Sequence, residues 1–144
     1  MARLEVNGLD ALLADYAELL RLPSEVVDGI LNAEADVIVP AQRAEIQRRW
    51  KGPYSEEISA QSIKKTAVKI KRDGHCIYVY PQGKRKRGKK RVRNAEIAFI
   101  NEYGAPGRGI VPRPAIAAAN AKAEKQAVEA GEKVYHAYLD SKKL

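Results

Sequence analysis

Eight of the ten residues from position 84 to position 93 are cations: Lys84, Arg85, Lys86, Arg87, Lys89, Lys90, Arg91 and Arg93. Charges this dense repel one another and cannot be buried together. The chemistry open to them is to hold an anionic partner, either nucleic-acid phosphates or an acidic protein surface, or to remain solvated. The formal charge of the chain is +8, from 26 Lys and Arg against 18 Asp and Glu, so the cations outside this run equal the acids in number. The basic character therefore belongs to one segment and not to the whole domain. The nearby aromatics, Tyr78 and Tyr80, lie upstream of the run in a predicted strand.

The remaining candidates for chemistry are weaker. His75 and Cys76 would supply an imidazole beside a thiol, but neighbours on a strand point to opposite faces and cannot act as a pair. His136 falls near the end of a predicted helix as a surface residue, and Glu56 and Glu57 diverge on a helical turn with no third group to orient them. Gly104, Gly107 and Gly109 precede a predicted helix, yet the Lys-Ser/Thr of a phosphate-binding loop is missing, which leaves a flexible connection. Cys76 is the single cysteine, so no disulfide forms within the chain, and no Cys/His cluster has zinc spacing. The expectation is a protein without catalytic residues, cofactor or metal.

The elements that position these residues are legible from periodicity. Leu9, Leu12, Leu13, Tyr16, Leu19 and Leu20 predict a helix over about 10–21. Pro23 and Ser24 start a second helix running to about Arg49, in which Pro40 removes a backbone donor and predicts a kink or division near Val37. A short helical stretch is expected over 55–64. The period then changes to two: Val68 and Ile70 alternate with lysines, and Tyr78 and Tyr80 with Ile77 and Val79. Asp73-Gly74 between these runs predicts an antiparallel hairpin of about 67–71 with 76–80. Residues 82–94 read as a basic loop or an extended hairpin tip. Asn94 is placed to cap a helix over 95–103 that ends at Gly104. Pro114 opens a final helix to about Leu139, with a narrow stripe of Ile116, Ala119, Ala123, Ala127, Val134 and Tyr138.

With 144 residues, 45% of them hydrophobic, the chain is expected to form a single domain over 1–144 with one modest core. The fold class is α+β: a small antiparallel hairpin packed against a kinked long helix and a C-terminal helix, with a basic loop. The first residues lack the apolar run of a signal peptide, and no stretch approaches the ~18 apolar residues of a membrane span. A soluble protein made in a reducing cytoplasm is expected.

The order of several short motifs resembles the tail-completion and neck (head-tail joining) proteins of tailed bacteriophages, a family typified by a minor head-tail component of the lambdoid coliphage HK97. A Gly-Leu lead-in and helix correspond to Val6-Asn7-Gly8-Leu9-Asp10 with Leu12 and Leu13, and a Pro-Ala step in a long helix to Val39-Pro40-Ala41. Ser55 to Ile58 and Ser62-Ile63 loosely match a Thr-Gly-x-Leu-x-x-Ser-Ile element. After the hairpin, Glu102-Tyr103-Gly104-Ala105 and Arg113-Pro114-Ala115-Ile116 match Glu-Tyr/Phe-Gly-Thr and Arg-Pro-Phe-Ile. Ala115 stands where the family has an aromatic, the Thr-Gly is missing, and the basic run exceeds the family pattern.

The resemblance implies a structural virion protein, not an enzyme, acting at the head-tail joint or the upper end of the tail. It implies a homo-oligomeric ring, a hexamer, around the DNA channel, in contact with neighbouring connector and tail proteins. It also implies subunit contacts at Glu102, Tyr103, Gly104, Arg113 and Pro114, and at the hairpin edge. The residues themselves leave a second function class open, a nucleic-acid-binding module of ribosomal or nucleoid type using 84–93.

Overall fold

The computed structural model describes residues 21–51 and 56–142. The helix expected over 10–21 lies outside the described residues, apart from its last position. Two helices of 26 residues, α1 (Ser24–Arg49) and α4 (Ile116–Ser141), form the frame, each about 39 Å long. They run antiparallel: Gln42 Nε2 donates to Asn120 Oδ1 at 2.9 Å, while towards the other end Gly29 packs against Val134. The seam of α4 is made of small residues at four-residue spacing, Ala119, Ala123, Ala127 and Gly131, all buried. This spacing keeps them on one face, and their size lets α1 approach closely. A Cβ added at Gly131 would fall 2.6 Å from Glu34 Oε1 and 3.1 Å from Ile30 Cγ2, so that seam has no room to spare.

Pro40 does not divide α1, which continues unbroken to Arg49 with Pro40 exposed. A glutamate of α1, Glu45, is buried against α4 and meets three cations: Lys122 Nζ at 2.6 Å, Arg49 Nε at 2.7 Å and Arg48 Nη2 at 3.2 Å. These contacts, with Lys122 foremost, lower its pKa from 4.5 to about 2.

The short helix α2 (Glu56–Ser62) leads directly into strand β1 (Ile63–Lys65), two residues before the expected helix end. β1 pairs antiparallel with β4 (Val79–Pro81), and β2 (Lys69–Lys71) pairs with β3 (Gly74–Cys76). The four strands make one hairpin with an offset. Lys65 faces Val79 and Lys69 faces Cys76, so three residues of the first arm oppose two of the second, the count of a β-bulge. Thr66 anchors the irregularity, its N–H donating to Tyr78 O and its Oγ1 accepting from Tyr78 N.

Lys71 pairs with Gly74, so the turn residues are Arg72-Asp73, one position earlier than expected, with Gly74 beside them at φ +123°. The hairpin lies along α1 through Arg43, which donates to Ile63 O, and through Lys65–Asp36 at 2.7 Å and His75–Asp28 at 3.0 Å. Its tip projects beyond the core, which leaves Ile70 77% exposed.

The main core gathers where α1, α2, β1 and α3 (Asn94–Tyr103) meet: Ile46, Trp50, Ala60, Ile63, Ala98 and Ala115. Trp50 is buried, and its indole N–H donates to Arg113 O at 2.7 Å, tying the end of α1 to the strap before α4. Among the described residues no helix is long and apolar enough to cross a membrane.

Candidate functional site

Of the two forms expected for the basic run, a loop or an extended hairpin tip, the structure has the hairpin. Strands β5 (Lys84–Arg87) and β6 (Lys90–Arg93) pair antiparallel as a ribbon, closed at Gly88-Lys89 with Gly88 at φ +63°. Directly opposite residues of an antiparallel pair share a face, as do residues two apart on one strand. One face therefore carries Lys84 opposite Arg93 and Lys86 opposite Arg91, four cations and nothing else. All four are exposed, and among the described residues none has an acidic partner. Like charges directly opposite one another destabilise a sheet in water. Among the described residues no acid on this face offsets that repulsion.

The other face explains what holds the ribbon. Arg85, opposite Val92, is half-buried; its Nε donates to Asn94 Oδ1 at 2.7 Å and its Nη2 to Ser59 Oγ at 2.8 Å. Burial lowers the pKa of Arg85, and the charge of Arg87 adds to the shift. A guanidinium titrates so far above neutrality that it stays protonated all the same. Asn94 Nδ2 in turn donates to Gln82 O at 2.8 Å, and Asn94 N to Gly83 O at 3.0 Å. The expected cap role of the Asn94 side chain is thus replaced: no side-chain bond caps α3, and Asn94 clamps the base of the ribbon instead. Arg85, expected among the partner-facing cations, serves the fold.

Tyr78 and Tyr80 do not join this surface as base-stacking platforms. The Tyr78 ring lies under the ammonium groups of Lys71 at 4.7 Å and Lys69 at 5.7 Å, within its own hairpin, and its hydroxyl bonds Lys71. Tyr80 lines a groove with residues of α3.

A second uncovered surface lies on α3. Phe99 and Tyr103, one helical turn apart, meet with ring centroids 4.8 Å apart and their planes tilted by 49°, and they are 61% and 65% exposed. With Tyr80, Pro81, Ala98 and Ile116 they line a groove of about 320 Å³. Phe99 is the only phenylalanine of the chain, and its exposure had no signal in the sequence beyond its helical position.

The residues expected at subunit contacts divide into two groups. Tyr103 and Pro114 are exposed. Glu102, Gly104 and Arg113 are committed within the chain. Glu102 is buried; its Oε2 accepts from the backbone N–H of Ala115 and Ile116, both at 2.9 Å, and its Oε1 from Ala117 at 2.8 Å. It caps the start of α4 from α3, supplying the acceptors that Ala115 cannot. Arg113 Nη2 donates to Asn101 Oδ1 at 2.7 Å and Nη1 to Lys51 O at 3.0 Å. Gly104 ends α3 at φ +73°, and a Cβ there would lie 2.6 Å from Ile110 O. The helix α4 starts at Ile116, two residues after Pro114, where Glu102 completes its first turn.

Of the weaker candidates, His75 Nδ1 meets Asp28 Oδ1 at 3.0 Å, and Cys76 is a free thiol. Among the described residues no group of three His, Cys, Asp or Glu could hold a metal ion. No family model, curated protein or solved structure matches the chain.

Proposed function

We propose that the chain is a structural component of a tailed-phage virion, a subunit of a ring at the head-tail joint or the upper end of the tail. The observation that carries the reading is the pairing, on one small chain, of an uncovered aromatic surface at Phe99 and Tyr103 with an uncovered cationic ribbon. Aromatic residues are enriched at protein interfaces, and exposed apolar patches mark them. A subunit that meets other subunits on one side and a polyanion on another is what a ring around a DNA channel requires. The ordered motifs from Val39-Pro40-Ala41 to Arg113-Pro114 support the same reading.

The test is deletion of the gene from the phage or prophage that carries it, followed by electron microscopy of the lysate. Unjoined heads and tails, restored to particles by the gene supplied in trans, are the expected result. Normal infectious particles without the chain would overturn the proposal. The second reading, a nucleic-acid-binding module, draws on the ribbon alone and predicts normal particles with the chain bound to intracellular nucleic acid.

A further inference from the structure

We infer that the β5–β6 ribbon binds the phosphate backbone of duplex DNA, independently of sequence, through the face made by Lys84, Lys86, Arg91 and Arg93. The choice between DNA and an acidic protein rests on what this face lacks. Protein interfaces are anchored by aromatic or aliphatic side chains in desolvated pockets and are depleted of lysine at their centre. The ribbon face has no apolar side chain, because Val92 turns to the opposite side with Arg85. Protein–DNA interfaces are by contrast polar and strongly positive.

The opposed like-charge pairs add a second reason. Lys84 faces Arg93 and Lys86 faces Arg91. The two cross-strand pairs stand about 7 Å apart along the ribbon, two residues of strand rise. A row of phosphates relieves that repulsion at every position at once. The Arg85–Asn94–Ser59 clamp holds the ribbon in place before any partner arrives. A two-stranded ribbon also has the width that the duplex major groove admits. Adenine readout and single-strand stacking both need groups this face does not have, since it holds no Asn, Gln or aromatic ring and Tyr78 is engaged with Lys69 and Lys71.

This inference deepens the ring reading by naming the partner of one surface, and its test does not depend on the virion. The full chain is titrated against two unrelated duplexes of about 24 base pairs by fluorescence anisotropy, at salt concentrations from about 50 to about 200 mM. The two duplexes should bind alike. Four neutralised phosphates predict a log-log salt slope of about −3.6, an affinity loss of about 150-fold across that range. Lys84→Ser with Arg93→Ser should halve the slope, and adding Lys86→Ser and Arg91→Ser should bring it close to zero. A control with Arg72→Ser, Arg108→Ser, Lys125→Ser and Lys133→Ser removes the same charge elsewhere and should keep the slope.

Absence of duplex binding at the lowest salt, a slope equal in the ribbon variant and the wild type, or tighter capture of poly-glutamate than of duplex would each overturn the inference. Melting curves of the variants check that they fold, and the two-residue variant keeps the test sound should the four-residue one unfold. Duplex binding by a chain whose deletion leaves normal particles would refute the ring while leaving this inference standing.

Discussion

The cationic ribbon and the aromatic surface on α3 are both exposed, both close to the same core, and opposite in chemistry. The ribbon offers charge without apolar area, so its contribution to any contact depends on salt and on a partner of high charge density. Phe99 and Tyr103 offer apolar area without charge, so their contribution should persist in salt and scale with the surface they bury. Each is supported by a buried polar residue: Asn94 at the base of the ribbon, and Glu102, which lines the α3 groove and ties α3 to the start of α4. This small chain presents two surfaces of unlike chemistry with part of its buried polar inventory serving as fixtures.

Removing the mount common to both surfaces should have the largest effect. Trp50→Ala empties the centre of the core and breaks the bond to Arg113, so a loss of about 3–5 kcal/mol is expected in denaturant unfolding. Both surfaces should fail together in that variant. Glu102→Ala acts on one side, stripping three backbone N–H groups of their acceptor and loosening the start of α4. It should cost about 2–3 kcal/mol and disturb the 104–116 strap while duplex binding by the ribbon survives. Arg85→Ala is the counterpart on the other side, leaving Asn94 without its donor, with an expected loss of about 1–2 kcal/mol. A variant whose stability falls while its binding is untouched would separate mount from surface.

At the small end lie the surfaces themselves. Lys86→Ser with Arg91→Ser should change stability by no more than about 0.5 kcal/mol, with a gain as natural as a loss because a like-charge pair is removed. Phe99→Ser with Tyr103→Ser should be similarly mild in the isolated chain. Its effect should appear in assembly and be insensitive to salt.

A pH titration sharpens the distinction between charges that serve the fold and charges that do not. Glu45 is held at about 2 in the folded chain, below the 4.5 of a free carboxyl, because Lys122, Arg49 and Arg48 surround it. The unfolded state therefore binds more protons between these values. The stability Glu45 contributes is fully present above about pH 4.5 and is lost as pH falls towards 2. Glu45→Gln should flatten the acid limb of a thermal-stability curve in that window. Replacing the ribbon cations should leave that limb unchanged.

What the sequence could disclose follows from which interactions are periodic. The long helices, the alanine seam of α4, the hairpin around Asp73 and the stop at Gly104 all express a local pattern, and each lies within a few residues of where that pattern puts it. The sequence left the ribbon open between a basic loop and a hairpin tip because its alternation is cation with cation; Val92 is its one apolar residue, and no apolar face declares a strand. The bulge at Thr66 escaped because an extra residue in one arm leaves no mark on the other. The roles of Glu102, Asn94 and Trp50 are tertiary: their partners lie 13 to 63 residues away for Glu102 and Trp50, and the Asn94 clamp needs Arg85 folded back across a turn. The subunit-contact assignment of Glu102 and Arg113 came from motif order, which marks a position without saying which way its side chain is used.

The most direct test of the account places a photoreactive amino acid at position 86 on the ribbon or at position 99 on α3, in chains incorporated into particles that are then irradiated. Position 86 should cross-link to DNA, and position 99 to another protein subunit. Protein adducts alone from position 86, or DNA adducts from position 99, would contradict the division of labour between the two surfaces.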